Sequence, residues 1–127
     1  MAASGRISAV SADALEAGAS TPGVLRELAV ETESATLMRA RAEPGAASGW
    51  HQHGDRDVLG YVVSGRARFE FGVDGDESVE VEAGGFFHVP ARLVHRDVNP
   101  ADATQEIVLT IVGEGPLVVN VDGPEPR

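Results

Sequence analysis

The stretch from Arg66 to Glu82, RARFEFGVDGDESVEVE, does most to limit what this chain can fold into. Phe69 and Phe71 alternate with Arg66, Arg68 and Glu70, and Val79 and Val81 alternate with Glu80 and Glu82. A period of two places successive side chains on opposite faces, which is the pattern of a strand with one buried and one wet face. Asp74-Gly75 between the two runs is a strong signal for a tight hairpin turn. Two such strands cannot bury their apolar faces alone. They need a facing sheet, so the hairpin commits the chain to a sandwich or a barrel.

The rest of the chain repeats the theme. Short β-type runs at 24–30, 35–42, 58–64, 86–90, 104–113 and 116–121 are separated by turn residues such as Thr21–Gly23, EPGAASG at 43–49, and Gly65. Eight or nine short strands predict an all-β sandwich or small barrel. One exception is expected. SADALEAG, Ser11 to Gly18, reads as a short N-terminal helix with Ser11 as its cap and Gly18 as its stop. The 127 residues suit one domain. Its expected divisions are a tail and short helix at 1–22, a barrel at 23–122, and a disordered tail at 123–127.

Composition removes several chemistries. There is no cysteine, so any metal site must use nitrogen and oxygen ligands. All ten basic residues are arginine, which excludes a lysine Schiff base. A formal net charge of −10 disfavours nucleic acid and anionic membranes as partners. No apolar run approaches the ~18 residues needed to span a bilayer. The N-terminal MAASGRISAV lacks the apolar segment of a secretory signal, so a cytoplasmic location is expected. The serines lack an adjacent His–Asp arrangement, and the glycines fall in turns rather than in a phosphate loop.

Four histidines stand in two clusters, His51 with His53 and His88 with His95. His51 and His53, two apart, share a face if the segment is extended. Two neutral imidazoles on one face can chelate an ion, and His95 is the natural third ligand from a distant strand. Taken alone, the pair is a weak signal, and WHQHGDRD reads more readily as a polar loop.

The surroundings of these histidines add a pattern. Five residues separate Gly45 from His51-x-His53, Asp57 follows, and Gly65 closes the next run. Downstream, GGFFHVPARLVHRDVN sets Gly84, Pro90, His95 and Asn99 in order. Together these resemble the two motifs of the cupin superfamily, over residues 45 to 99. The resemblance implies a double-stranded β-helix, or jelly-roll barrel, with one divalent transition metal (Fe, Mn, Zn or Ni) inside. Carried over, the ligands are His51, His53, Asp57 and His95. It also implies a homodimer, for which the strands at 24–30 and 116–121 are candidate contacts.

This sequence departs from the family pattern in three ways. The acid is aspartate rather than glutamate. Counting back from Gly65 lands on Val58 rather than Asp57, so Asp57 is in register only if a bulge adds one residue. Without that adjustment the site has three histidines and no carboxylate. Finally, Arg92 stands where the pattern has glycine, in a turn that would force it to an uncomfortable backbone angle.

Trp50, Tyr61, Phe69 and Phe71 are candidates to line the cavity. Tyr61 and His88 are the candidate catalytic groups, and each has a plain alternative, barrel packing or a satisfied rim histidine. Arg39 and Arg41 are expected to face outward. The functional expectation is a metal-binding protein acting on a small organic molecule, with oxygenase-type chemistry first. The alternatives are a non-catalytic binding or sensing protein, or a zinc or nickel isomerase, cyclase or lyase.

Overall fold

The computed structural model describes residues 5–126, and among them every regular element is a strand. In chain order these are β1 (Glu16–Ala17), β2 (Val24–Glu31), β3 (Ala35–Ala42), β4 (His51–Gln52), β5 (Asp57–Ser64) and β6 (Arg66–Phe71). They continue as β7 (Glu77–Glu82), β8 (Phe86–Val89), β9 (His95–Val98), β10 (Gln105–Val112) and β11 (Val119–Asn120). Two antiparallel sheets result, ordered β1-β2-β3-β10-β5-β8 and β11-β4-β9-β6-β7. This is an all-β sandwich of the kind the alternating pattern called for, in the jelly-roll arrangement that the family resemblance implies.

The expected hairpin is present. β6 and β7 pair with Arg66 opposite Glu82 and Phe71 opposite Glu77, and Asp74 and Gly75 turn with φ of 58° and 70°. Alternation also sets β3. Thr36, Met38, Ala40 and Ala42 are buried inside, while Arg39 and Arg41 lie on the outer face, where they pair with Glu27 and Glu106. The core forms in two clusters. Val62, Ala67, Phe69 and Ile107 with Ala40 make one, and Met38, Val58, Val89 and Ile111 make the other. Phe87 and Leu109 touch both. The ring of Phe87 packs on Phe69 at 4.6 Å between centroids.

Two expectations about the ends are corrected. Ser11–Gly18 is not a helix. One turn closes, with Ala14 N–H donating to Ser11 O, and then Glu16–Ala17 joins the edge of β2. A helix of two turns pays the full nucleation cost and needs an apolar face to pack, which this segment lacks. The unpaired edge of β2 offers backbone partners instead. At the other end, residues 123–126 do not hang free. Asp74 N–H donates to Glu125 O at 2.8 Å, and Glu125 bridges to Val73 beside the hairpin.

Candidate metal centre

Two short strands bring the histidines together. β4 pairs antiparallel with β9 so that His51 lies directly opposite His95. His53, two residues on, shares the inner face of His51. The three rings stand 4.4 to 5.2 Å apart between centroids, and all three side chains are buried. One ligating atom from each lies within 4.8 Å of the others.

Hydrogen bonds fix which nitrogen faces the site. His51 Nδ1–H donates to Gly49 O at 2.8 Å, His53 Nδ1–H to Leu117 O at 2.7 Å, and His95 Nδ1–H to Leu93 O at 2.9 Å. A carbonyl oxygen only accepts, so in each case the proton must be on Nδ1. Each neutral ring therefore presents a bare Nε2, the tautomer that a metal ligand requires. Burial favours the neutral form of two of them: it lowers His53 from 6.5 to about 4 and lowers His95 as well. Three lone pairs converging without a proton donor among them fit a cation.

The site forms part of the wall of a cavity of about 400 Å³. The remaining wall is largely apolar, including Leu28, Met38, Phe69, Phe87, Leu109 and Leu117. Of the aromatic candidates only Phe69 lines it. Trp50 lies elsewhere, stacked under the Arg96 guanidinium at 5.0 Å. Gly18 to Thr21, expected outside the barrel, close one side of the cavity.

Asp57, Tyr61 and His88 do not join the histidine cluster. On β5 the inward positions are Val58, Gly60 and Val62, and Val58 lines the cavity where a carboxylate was expected. The bulge is present: Ile107 pairs with Val62 and Glu106 with Ser64, leaving Val63 extra. It lies beyond Val62, too late to turn Asp57 inward. Asp57 instead accepts from His88 Nε2–H at 2.8 Å on the outer face, and this bond lowers its pKa. Tyr61 shares that outer face and packs on Phe86 at 4.8 Å.

The structure adds a residue that the motif count passed over. Asp97 lies two residues after His95 on β9, on the same face, and lines the cavity. Its Oδ2 is 3.6 Å from His51 Nε2 and its Oδ1 is 3.5 Å from His95 Nε2. The signal available in the sequence was the same two-residue spacing that linked His51 to His53. Asn99, further along the same run, is fully buried. It bonds Ala42 O, Glu43 O and Ala103 O through Nδ2, and accepts from Ala101 N–H, so it pins the loops flanking the site. Arg92 does adopt the strained turn, at φ 64°.

Residues 38–112 match the cupin domain family. The chain belongs to the cupins. The fold agrees with solved cupin structures. One is a double-stranded β-helix protein from Klebsiella pneumoniae, 19% identical, with a TM-score of 0.71 over 83% of this chain and 90% of that one. Another is an RmlC-like cupin from Shewanella frigidimarina, 21% identical, with a TM-score of 0.69 over 86% of this chain and 93% of that one. A third is an oxalate decarboxylase variant from Bacillus subtilis, 23% identical, with a TM-score of 0.71. This cupin covers 84% of its own length there but only 30% of the decarboxylase, an enzyme with Mn(II) centres. No curated protein matches the sequence.

Proposed function

We propose that this cupin is a metal-dependent protein that takes a small, largely apolar organic molecule into its barrel, with oxygenase-type chemistry as the first reading. One observation carries it. Three buried histidines, each locked in the tautomer that bares Nε2, stand at the wall of an otherwise apolar cavity of about 400 Å³. Such a cavity with a few convergent polar groups is the usual form of a small-molecule site.

His51, His53 and His95 would hold the ion. Iron or manganese would bring redox chemistry, and zinc or nickel Lewis-acid chemistry. The chain's own contribution is positional. Gly49 O, Leu117 O and Leu93 O orient the ligand rings, and the apolar wall excludes water and selects apolar substrate groups. Among the described residues, Arg26 and Asp97 are the only Asp, Glu or Arg side chains on that wall, and the Arg26 guanidinium donates to Ala19 O. That scarcity of acid–base groups favours, as a second reading, a binding or sensing cupin without turnover.

The reading also carries a cytoplasmic location and a homodimer. Among the described residues no helix is long and apolar enough to cross a membrane. The dimer is supported by the exposed outer face at Leu59, Tyr61, Val63 and Phe86, and light scattering tests it: a monomer mass removes the dimer.

The deciding experiment is metal analysis of purified protein beside His53→Ala. About one equivalent of a transition metal in the wild type, lost in the variant, is expected. A protein that carries no metal and cannot be loaded overturns the reading. Dioxygen uptake with a panel of small apolar compounds then separates enzyme from binding protein.

A further inference from the structure

The inward face of β5 carries no acid, yet the site is not without a carboxylate. We propose that Asp97 of β9 supplies the acidic ligand of this metal centre, a position outside the motif that supplies the histidine pair. The inference rests on the metal reading above.

Its first support is distance. Nitrogen and oxygen donors lie about 2.0–2.2 Å from a zinc-like ion, so neighbouring donors on one ion are roughly 2.8–3.6 Å apart. Asp97 Oδ2 to His51 Nε2 is 3.6 Å and Asp97 Oδ1 to His95 Nε2 is 3.5 Å, at the upper end of that range. Both are too long for hydrogen bonds.

The second support is the proton count. With Nδ1 of His51 and His95 donating to carbonyls, each ring in its neutral form turns its Nε2 lone pair toward the Asp97 carboxylate. No other donor among the described residues reaches its oxygens. Acceptor therefore faces acceptor twice, which is repulsive unless positive charge lies between them. One ion satisfies all of these groups at once.

The third support is that the backbone holds Asp97 in place. Asp97 N–H donates to Ser48 Oγ at 2.9 Å, and Ser48 N–H donates to Asp97 O at 2.8 Å. Asp97 pairs with Phe69 across β6, and His95 pairs with Phe71. Both side chains thus stand on a rigid inward face, one pleat apart. Asp57, the acid that the family resemblance points to, is held by His88 on the other side of its sheet.

The test is titration of metal-stripped protein with Co(II) and Mn(II), followed by calorimetry, the Co(II) visible spectrum and Mn(II) magnetic resonance. Four variants are compared with wild type: Asp97→Asn, Asp97→Ala, Asp57→Asn and His53→Ala. Asp97→Asn is expected to weaken binding at least about 10- to 100-fold, the loss typical of removing even an indirect partner of a metal, and to change the Co(II) spectrum. Asp97→Ala, which cannot introduce a clash, should follow it. Asp57→Asn should bind as wild type. Wild-type affinity and an unchanged spectrum in both Asp97 variants overturn the assignment while leaving the three-histidine reading intact. The same holds if Asp57→Asn is the variant that weakens. A wild-type protein that takes up neither ion overturns both.

Discussion

Gly60 tests the packing that shapes the cavity. It faces inward on β5 directly opposite Phe87 of β8. A methyl built there would lie 2.5 Å from Phe87 Cε1 and 2.6 Å from Cε2, and closer still to Cζ. Carbon atoms prefer separations of about 3.5–4.0 Å, so the ring must retreat by about 1 Å or more. It has little room. Phe69 stacks on it at 4.6 Å, and both core clusters press against it. Overpacking of this kind costs about 1–3 kcal/mol. Replacing a strand glycine returns about 0.5–1 kcal/mol of chain entropy. Gly60→Ala should therefore destabilise the fold by about 1–2 kcal/mol, lowering the urea midpoint by about 0.5–1 M. The assay is urea unfolding followed by circular dichroism and Trp50 fluorescence. A double-mutant cycle with Phe87→Leu isolates the contact, because leucine lacks the ring atoms the methyl would strike. In that background Gly60→Ala should be neutral or stabilising. A Gly60→Ala protein as stable as wild type, or strictly additive effects in the cycle, would refute the reasoning.

Other outcomes follow from single groups. Because the folded state holds His53 at about 4 against 6.5 in the unfolded chain, the unfolded state takes up the proton first as pH falls. Metal-free protein should lose about 2 kcal/mol between pH 7 and 5 from this group; chelated wild type and His53→Gln unfolding with the same pH slope would count against it. Asn99→Ala removes a fully buried amide and strands backbone groups at Ala42, Ala101 and Ala103. A loss of about 3 kcal/mol or more is expected in chemical unfolding, and a change under about 1 kcal/mol would contradict the pinning role. Arg92→Gly relieves a left-handed backbone at φ 64° and gives up only an exposed pair with Asp55. Stability should stay level or rise by up to about 1 kcal/mol by thermal melting, and a clear drop would show that the side chain matters.

Much of this protein was legible in local pattern. The alternation of Phe69 and Phe71 with charged neighbours, the Asp74-Gly75 turn and the regular spacing of short runs determined an all-β fold, because side-chain period and turn chemistry are properties of a few adjacent residues. The convergence of His51, His53 and His95 was also legible, since the two-residue spacing of His51 and His53 puts them on one face and the family resemblance implies that His95 joins them. Three things were decided only by the tertiary structure. Glu16–Ala17 became a strand because the edge of β2 had backbone groups to satisfy, a partner that the local helix signal at Ser11 knows nothing about. Asp57 and Tyr61 face outward because the position of the bulge, at Val63 rather than earlier, fixes the parity of the whole of β5. Asp97, absent from the family pattern as an acid, reaches two histidines because the pairing of β4 with β9 sets His51 opposite His95. A strand's own sequence says which residues share a face. Which face looks inward, and what stands across from it, is settled by the register of its neighbours.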